Sequence, residues 1–194
     1  MYTNDAILYS QEGRIEGMAL DISIEQFLQL VEKKAYRMAE IATQNQSDAL
    51  DIVQDTMIKL VEKYSDKPSN EWKPLFYTIL NSRIMDYFRR KKVYNSLFFW
   101  KKQYQDDEGF EDEISKASDF ITPERELQGQ QDVQKVSLAL KQLSPRQQQC
   151  FLLRSWEGLS VIETAQIMKC SQGSVKTHYS RAKDALKKAL SDEQ

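Results

Sequence analysis

LSPRQQQCFLLRSWEGLSVIETAQIMKCSQGSVKTHYSRAKDALKKAL, residues 143–190, decides the fold. Ser144-Pro145 opens a helix, because Ser can cap free N–H groups and Pro at the first helical position loses no hydrogen bond. This helix carries Gln147, Phe151, Leu152 and Trp156 and stops at Gly158. Ser160 with Glu163 three residues on is a capping box, so a second helix starts there with Ile162, Ala165, Ile167 and Met168. Lys169-Cys170 makes a turn, and Ser171 caps a third helix that runs to about Leu190. A short helix, a tight turn and a longer basic helix form the pattern of a major-groove reader.

Spacing separates the faces of that third helix. Val175, Tyr179, Ala182, Leu186 and Ala189 recur at steps of three and four residues and should pack inward. Lys176, Thr177, Ser180 and Arg181 then point outward, with Gln172 and Ser174 at the N-terminal end. Short polar and cationic side chains suit base edges and phosphates. From Lys169 to Lys188 there are six Lys or Arg against one Asp.

The formal net charge of −2 hides strong segregation. Residues 1–72 hold thirteen acidic and seven basic side chains, whereas residues 73–102 hold one acidic and eight basic. Residues 103–126 return to nine acidic against two basic, before the basic helix ends the chain. Local charge binds phosphate, so two basic blocks imply two surfaces for polyanions. Six Gly, four Pro and no alternating apolar runs in 194 residues point to an all-α chain. Cys150, Cys170 and His178 are too few for a four-ligand zinc site, which leaves the cysteines as buried thiols in a reducing compartment. No metal or cofactor is expected. No apolar run reaches the ~18 residues of a membrane span, and the N-terminus lacks the order of a signal peptide, so a cytoplasmic protein is expected.

Helical periodicity begins near Ile22. Phe27, Leu28, Val31, Ala35, Met38, Ala39 and Ala42 mark one long amphipathic helix. Ser47 is expected to cap a second, with Leu50, Val53, Met57, Leu60 and Val61 inward. Its Asp48, Asp51 and Asp55 form an acidic ridge at helical spacing. No His, Cys or glycine-rich loop accompanies the ridge, which favours a docking face for a basic partner over catalysis. A polar loop, SDKPSNE, leads into WKPLFYTILNSRIMDYFRRKK. There Trp72, Leu75, Tyr77, Ile79, Ile84 and Phe88 supply the core, leaving Asn81, Ser82, Arg83, Arg89, Arg90, Lys91 and Lys92 outward.

The order of DALDIVQDTMIKLVEKY, WKPLFYTILNSRIMDYFRR and the 143–186 motif resembles a bacterial RNA polymerase sigma factor of the sigma-70 type. The resemblance is to the extracytoplasmic-function group, which keeps only regions two and four. It implies two small helical domains: an N-terminal tail over 1–20, region 2 over 21–93, a flexible acidic linker over 94–130 and region 4 over 131–194. It implies core polymerase and promoter DNA as partners, often with an anti-sigma factor as well. Asp48, Asp51, Gln54 and Asp55 would dock on the coiled coil of the largest polymerase subunit. The loop with Ser65, Asp66, Lys67, Ser69 and Asn70 resembles the one that captures a flipped base of the −10 element. Asn81, Ser82, Arg83, Arg89 and Arg90 would hold the displaced strand. Ser82 stands where the family usually has Asn, and Asn81 is its candidate substitute. Ser171, Gln172, Ser174, Lys176, Thr177, Ser180, Arg181 and Lys183 would read the −35 element, with residues 144–156 near the β-subunit flap.

In the linker, SLFFWKKQ is expected to pack on a domain or partner, and DDEGFEDE to lie in a basic channel built for nucleic acid. The C-terminal motif also resembles the helix-turn-helix of response-regulator activators. Such a protein should begin with an α/β receiver, and the first half has no alternating strands to build one.

Overall fold

The computed structural model describes residues 22–102 and 136–191, and no strand occurs among them. Helix α1 (Ile24–Thr43) starts at a reciprocal cap: Ser23 Oγ accepts from the Gln26 N–H at 3.3 Å, and Gln26 Oε1 accepts from the Ser23 N–H at 3.0 Å. It ends at Gln44, which takes the left-handed conformation (φ 56°). Helix α2 (Gln46–Tyr64) follows at once and is capped by Asn45, whose Oδ1 accepts from the Asp48 N–H at 3.0 Å. The expected cap, Ser47, lies inside the first turn instead, because a left-handed residue followed by an extended Asn closes the turn two residues earlier. Helix α3 (Ser69–Lys102) runs on past residue 93 to Lys102. Residues 1–21 and 103–135, where the N-terminal tail and most of the linker were expected, lie outside the described residues.

The core of this first bundle is aromatic. Phe27 on α1 meets Trp72 and Phe76 on α3 at centroid distances of 5.9 and 6.0 Å, and Phe76 meets Tyr77 edge-on at 5.4 Å. Trp72 also donates Nε1–H to the Tyr64 carbonyl at 3.0 Å, which fixes how α3 leaves the short turn after α2. Tyr87 donates to the Thr43 carbonyl at 3.1 Å and ties the far part of α3 to the α1–α2 turn. Because α3 starts at Ser69, Pro74 falls inside it and forfeits one bond to the carbonyl of exposed Asn70.

The apolar stripe of α2 is shifted by one position from the expected one. Ala49, Ile52, Val53, Thr56 and Leu60 are buried, whereas Leu50 and Val61 are 49% and 40% exposed. The misreading has a physical source. Thr56 is fully buried because its hydroxyl donates back to the Ile52 carbonyl at 2.7 Å, so a polar residue occupies a core position at little cost. Phe76 and Leu80, absent from the expected core, are completely buried.

The second bundle holds a short helix at 136–142 (α4), α5 (Pro145–Phe151), α6 (Val161–Met168) and α7 (Gln172–Ser191). Helix α5 passes into a π turn, Leu152–Trp156, whose wider ring puts the Glu157 N–H on the Leu152 carbonyl at 3.1 Å. Gly158 then takes φ +68°, a conformation that favours glycine, and Ser160 and Glu163 form the expected capping box of α6. Ala189, placed on the inward stripe of α7 by its spacing, is exposed, and Ile162 on α6 is exposed as well. The two bundles pack against each other, α3 on α6 and α1 and α3 on α5, and share one continuous apolar core.

The shifted register sets a stability contrast. Leu60→Ala should cost about 2–5 kcal/mol, the range for emptying a buried leucine site, whereas Leu50→Ala should stay within about 0.5 kcal/mol. Urea unfolding of both variants checks this, and equal losses would restore the register read from hydrophobicity.

Candidate nucleic-acid interface

The turn between α6 and α7 is built to present a helix end. Lys169 takes the left-handed conformation (φ 51°), and its N–H bonds back to the Gln166 carbonyl at 3.2 Å. Ser171 Oγ accepts from the Ser174 N–H at 3.1 Å and so caps α7, leaving Ser171 and Gln172 exposed at the helix start. Val175 and Ala182 are fully buried and Leu186 nearly so, which turns Lys176, Thr177, Ser180, Arg181 and Lys183 to the surface. Ser174 is half-buried. Thr177 donates to the Gly173 carbonyl at 3.0 Å, and Ser180 to Asp184 at 3.5 Å, so both hydroxyls are held within the helix.

Tyr179 anchors α7 to the bundle behind it. Its ring stacks on Phe151 at 6.1 Å, and its hydroxyl shares a hydrogen bond with Ser155 at 3.0 Å. Arg154 and Lys183 each place a cation 5.5 Å from the same ring. Lys183 is therefore drawn towards the tyrosine at its foot. His178 has a buried Nδ1, and burial, helped by Arg146 and Arg181, holds its imidazole below the usual histidine range. The cationic character of the exposed face thus rests on Lys176, Arg181 and Lys183. Cys150, expected as a buried thiol, lies beneath α7 and is pushed up to about 11, chiefly by burial, which makes it a poor nucleophile. Cys170 is only half-buried.

On the first bundle, Arg89 and Arg90 are exposed along α3, as are Lys91 and Lys92. Arg89 pairs with Asp86 at 3.1 Å, an exposed contact that phosphate can replace. Ser65, Asp66 and Lys67 are exposed in the turn after α2. Ser69 and Asn70 are not in that turn but in the first turn of α3, so the loop is shorter than its composition suggests. Ser82 is exposed and Arg83 half-buried, 3.7 Å from Asp55. Asn81 does not face outward. It is 8% exposed, and its Nδ2 donates across the seam to the Ile167 carbonyl at 3.4 Å.

The acidic ridge of α2 is a surface feature. Asp51, Gln54 and Asp55 are exposed and Asp48 half-buried beside Tyr87, whose phenol is pushed up by partial burial and by that carboxylate. The shifted register adds what the residue spacing missed: Leu50, Ile58 and Val61 form an exposed apolar stripe alongside these polar groups. A surface that mixes apolar area with a few charges is typical of a protein-docking patch. Among the described residues no cluster of three His, Cys, Asp or Glu side chains could hold a metal ion, and no helix is long and apolar enough to cross a membrane.

Comparison with known proteins matches residues 23–93 to Sigma-70 region 2 and residues 134–186 to Sigma-70, region 4. The chain is 30% identical over 159 residues to the RNA polymerase sigma factor SigV of Bacillus subtilis, covering 81% of this chain and 85% of SigV. It is 44% identical over 55 residues to the ECF RNA polymerase sigma factor BldN of Streptomyces coelicolor, covering 28% of this chain and 21% of BldN. Among solved structures, the sigma factor RpoE in complex with the anti-sigma factor NepR, from Bartonella quintana, superposes with a TM-score of 0.59 at 27% identity. That match covers 88% of this chain and 98% of RpoE.

Lys176 and Arg181 are both exposed on α7, and it is their chemistry that sets apart the DNA contacts expected of them. Arg181→Ala should cost about 1–3 kcal/mol on the preferred duplex and relax selection at one base pair, because a guanidinium can engage guanine bidentately. Lys176→Ala should weaken every duplex alike and lower the salt slope by roughly one unit. Titrations on duplex variants at several salt concentrations check both, and the reverse pattern would exchange the two roles.

Proposed function

The chain belongs to the sigma-70 family of RNA polymerase sigma factors, in its extracytoplasmic-function group, and we propose how its surfaces divide the family's work. It binds core RNA polymerase and directs promoter-specific transcription initiation by recognising the −10 and −35 elements. The carrying observation is that region 2 and region 4 occur in one chain, in that order, and the second ends on an exposed basic helix. The response-regulator reading loses its ground here, because the first half belongs to region 2.

In this reading α7 enters the major groove at the −35 element. Its N-terminal Ser171, Gln172 and Ser174 lie near backbone phosphate, where a helix N-terminus favours negative charge. Arg181 reads a base edge, while Lys176 and Lys183 contact phosphates. On the first bundle, the turn residues Ser65, Asp66 and Lys67, with Ser69 and Asn70 on the adjoining helical turn, receive the flipped −10 base. Arg89 and Arg90 hold the displaced strand by charge, and Ser82 offers a hydroxyl. Asp51, Gln54 and Asp55, with Asp48 at their edge, dock on the polymerase coiled coil, and Leu50, Ile58 and Val61 supply the apolar area of that contact. Trp156, 40% exposed at the end of the π turn, is the anchor toward the β flap.

The chain supplies positioning and no bond chemistry of its own, as befits a family of non-enzymatic initiation factors. It works in the cytoplasm, where polymerase and promoter are found. An anti-sigma factor of the kind bound to the Bartonella relative is a third partner, competing for the α2 face.

Reconstituted transcription on genomic fragments tests the whole reading: transcript profiles with and without this protein should differ at discrete start sites. Asp51→Lys with Asp55→Lys should abolish that difference and weaken core-polymerase binding. Their exposure keeps the stability change near 0.5 kcal/mol per site, with circular dichroism as the control. Unchanged affinity for core enzyme would move the docking face elsewhere.

A further inference from the structure

Where the two bundles meet, a carboxylate is buried. Glu157 follows directly on the π turn, and its side chain is only 2% exposed. One oxygen lies 3.9 Å from Lys34 Nζ on α1 and the other 3.8 Å from Lys73 Nζ on α3. The phenol of Tyr77, also on α3 and fully buried, faces the same carboxylate and is pushed up by burial first and by Glu157 second. Every one of these partners belongs to the first bundle. The burden is uneven, because the carboxylate has lost its water while Lys34 and Lys73 remain 35% and 46% exposed. A buried charge at a helix C-terminus, where the dipole already disfavours anions, holds only while its cations are in place.

The same seam withdraws Asn81, through its bond to Ile167, from any strand lying along α3. Gln148 spans it too, donating to the Ile41 carbonyl at 3.5 Å. The closed arrangement also fails a length test. Elements at −10 and −35 lie roughly 85 Å apart on straight duplex at about 3.4 Å per base pair. A compact chain of this length has a radius of gyration near 16 Å and spans on the order of 40 Å. The two reading surfaces therefore cannot reach their elements together while the bundles touch.

We propose that Glu157, Lys34 and Lys73 form an interdomain latch that holds the free protein closed and keeps Asn81 from single-stranded DNA until the bundles separate. The part concerning Asn81 rests on the reading of α3 as the −10 surface; the latch itself does not. If the open form is roughly 1–10% of the free protein, unlatching should tighten binding to a single-stranded −10 oligonucleotide by roughly ten- to a hundredfold.

The test uses the full chain and three forms: unaltered, Lys34→Glu with Lys73→Glu, and that pair combined with Glu157→Lys. Small-angle scattering should find the first compact, the second extended and the third compact again, because the last restores opposite charges across the seam. Both lysines are substantially exposed, so circular dichroism should be unchanged; Lys34→Gln with Lys73→Gln is the milder form and should open partially. Fluorescence anisotropy on the oligonucleotide should rank the extended form as the tighter binder, although each reversal replaces a positive charge by a negative one. An unaltered chain already extended, a double variant that stays compact, or a triple variant that fails to close would each overturn the latch. Opening without a gain in affinity would uphold the latch and overturn the placement of the −10 surface beside Asn81.

Discussion

An ionised carboxylate removed from water demands compensation, and Glu157 obtains it from the other half of the chain. Its own bundle offers the wrong environment: it sits at the C-terminal end of the π turn, where the helix dipole disfavours an anion. Two ammonium groups from α1 and α3 supply what is missing, and with them the seam acquires one definite docking geometry. Apolar contact alone tolerates sliding. A charge with partners on two different helices does not, so Glu157 fixes the angle at which otherwise ordinary helical bundles meet. The π turn is part of the same construction, since its extra residue sets where on the seam Glu157 and then Gly158 fall.

Function asks the opposite of this seam. The exposed face of α7, the α2 ridge and the basic end of α3 all stay accessible in the closed form, whereas Asn81 does not. A sigma factor must also reach two elements separated by more than its own closed length. Within a seam that is chiefly apolar, its few polar groups suit that demand: separated, Glu157, Lys34 and Lys73 are hydrated and lose little.

Much of the second bundle was legible because its signals are local. The Ser160–Glu163 box, the Ser171 cap and the inward Val175 and Ala182 each depend on residues within one or two turns, and the structure has them where spacing put them. The first bundle was legible in outline and misread in register. Leu50 and Val61 were assigned to the core by hydrophobicity alone, but a docking face also requires apolar residues, and a threonine bonded to its own helix can hide in their stead. Asn81 and Glu157 were beyond local reasoning altogether. Asn81 is polar and sits on a basic helix, so it reads as outward until Ile167, far along the chain, turns out to be its acceptor.

Charge segregation along the chain ties these observations together. The net charge of −2 would be unhelpful to a DNA-binding protein if it were spread evenly. Instead the acids of α2 face one way, where a basic protein surface can be met, and the cations of α3 and α7 lie on other faces. Oppositely charged faces on a small protein attract each other as well as their partners, and such a chain risks folding its own cations onto its own acids. The pair formed by Arg83 and Asp55, 3.7 Å apart and more than a third exposed on both sides, is a small instance of that attraction. The seam limits it by bringing together chiefly apolar surface with one buried acid and two lysines, leaving Arg89, Arg90, Lys176 and Arg181 exposed. Lys34 and Lys73 thus hold the bundles together without drawing on the cations of the reading surfaces. Latch and reader use separate charges, so the protein can close without neutralising the groups it needs when open.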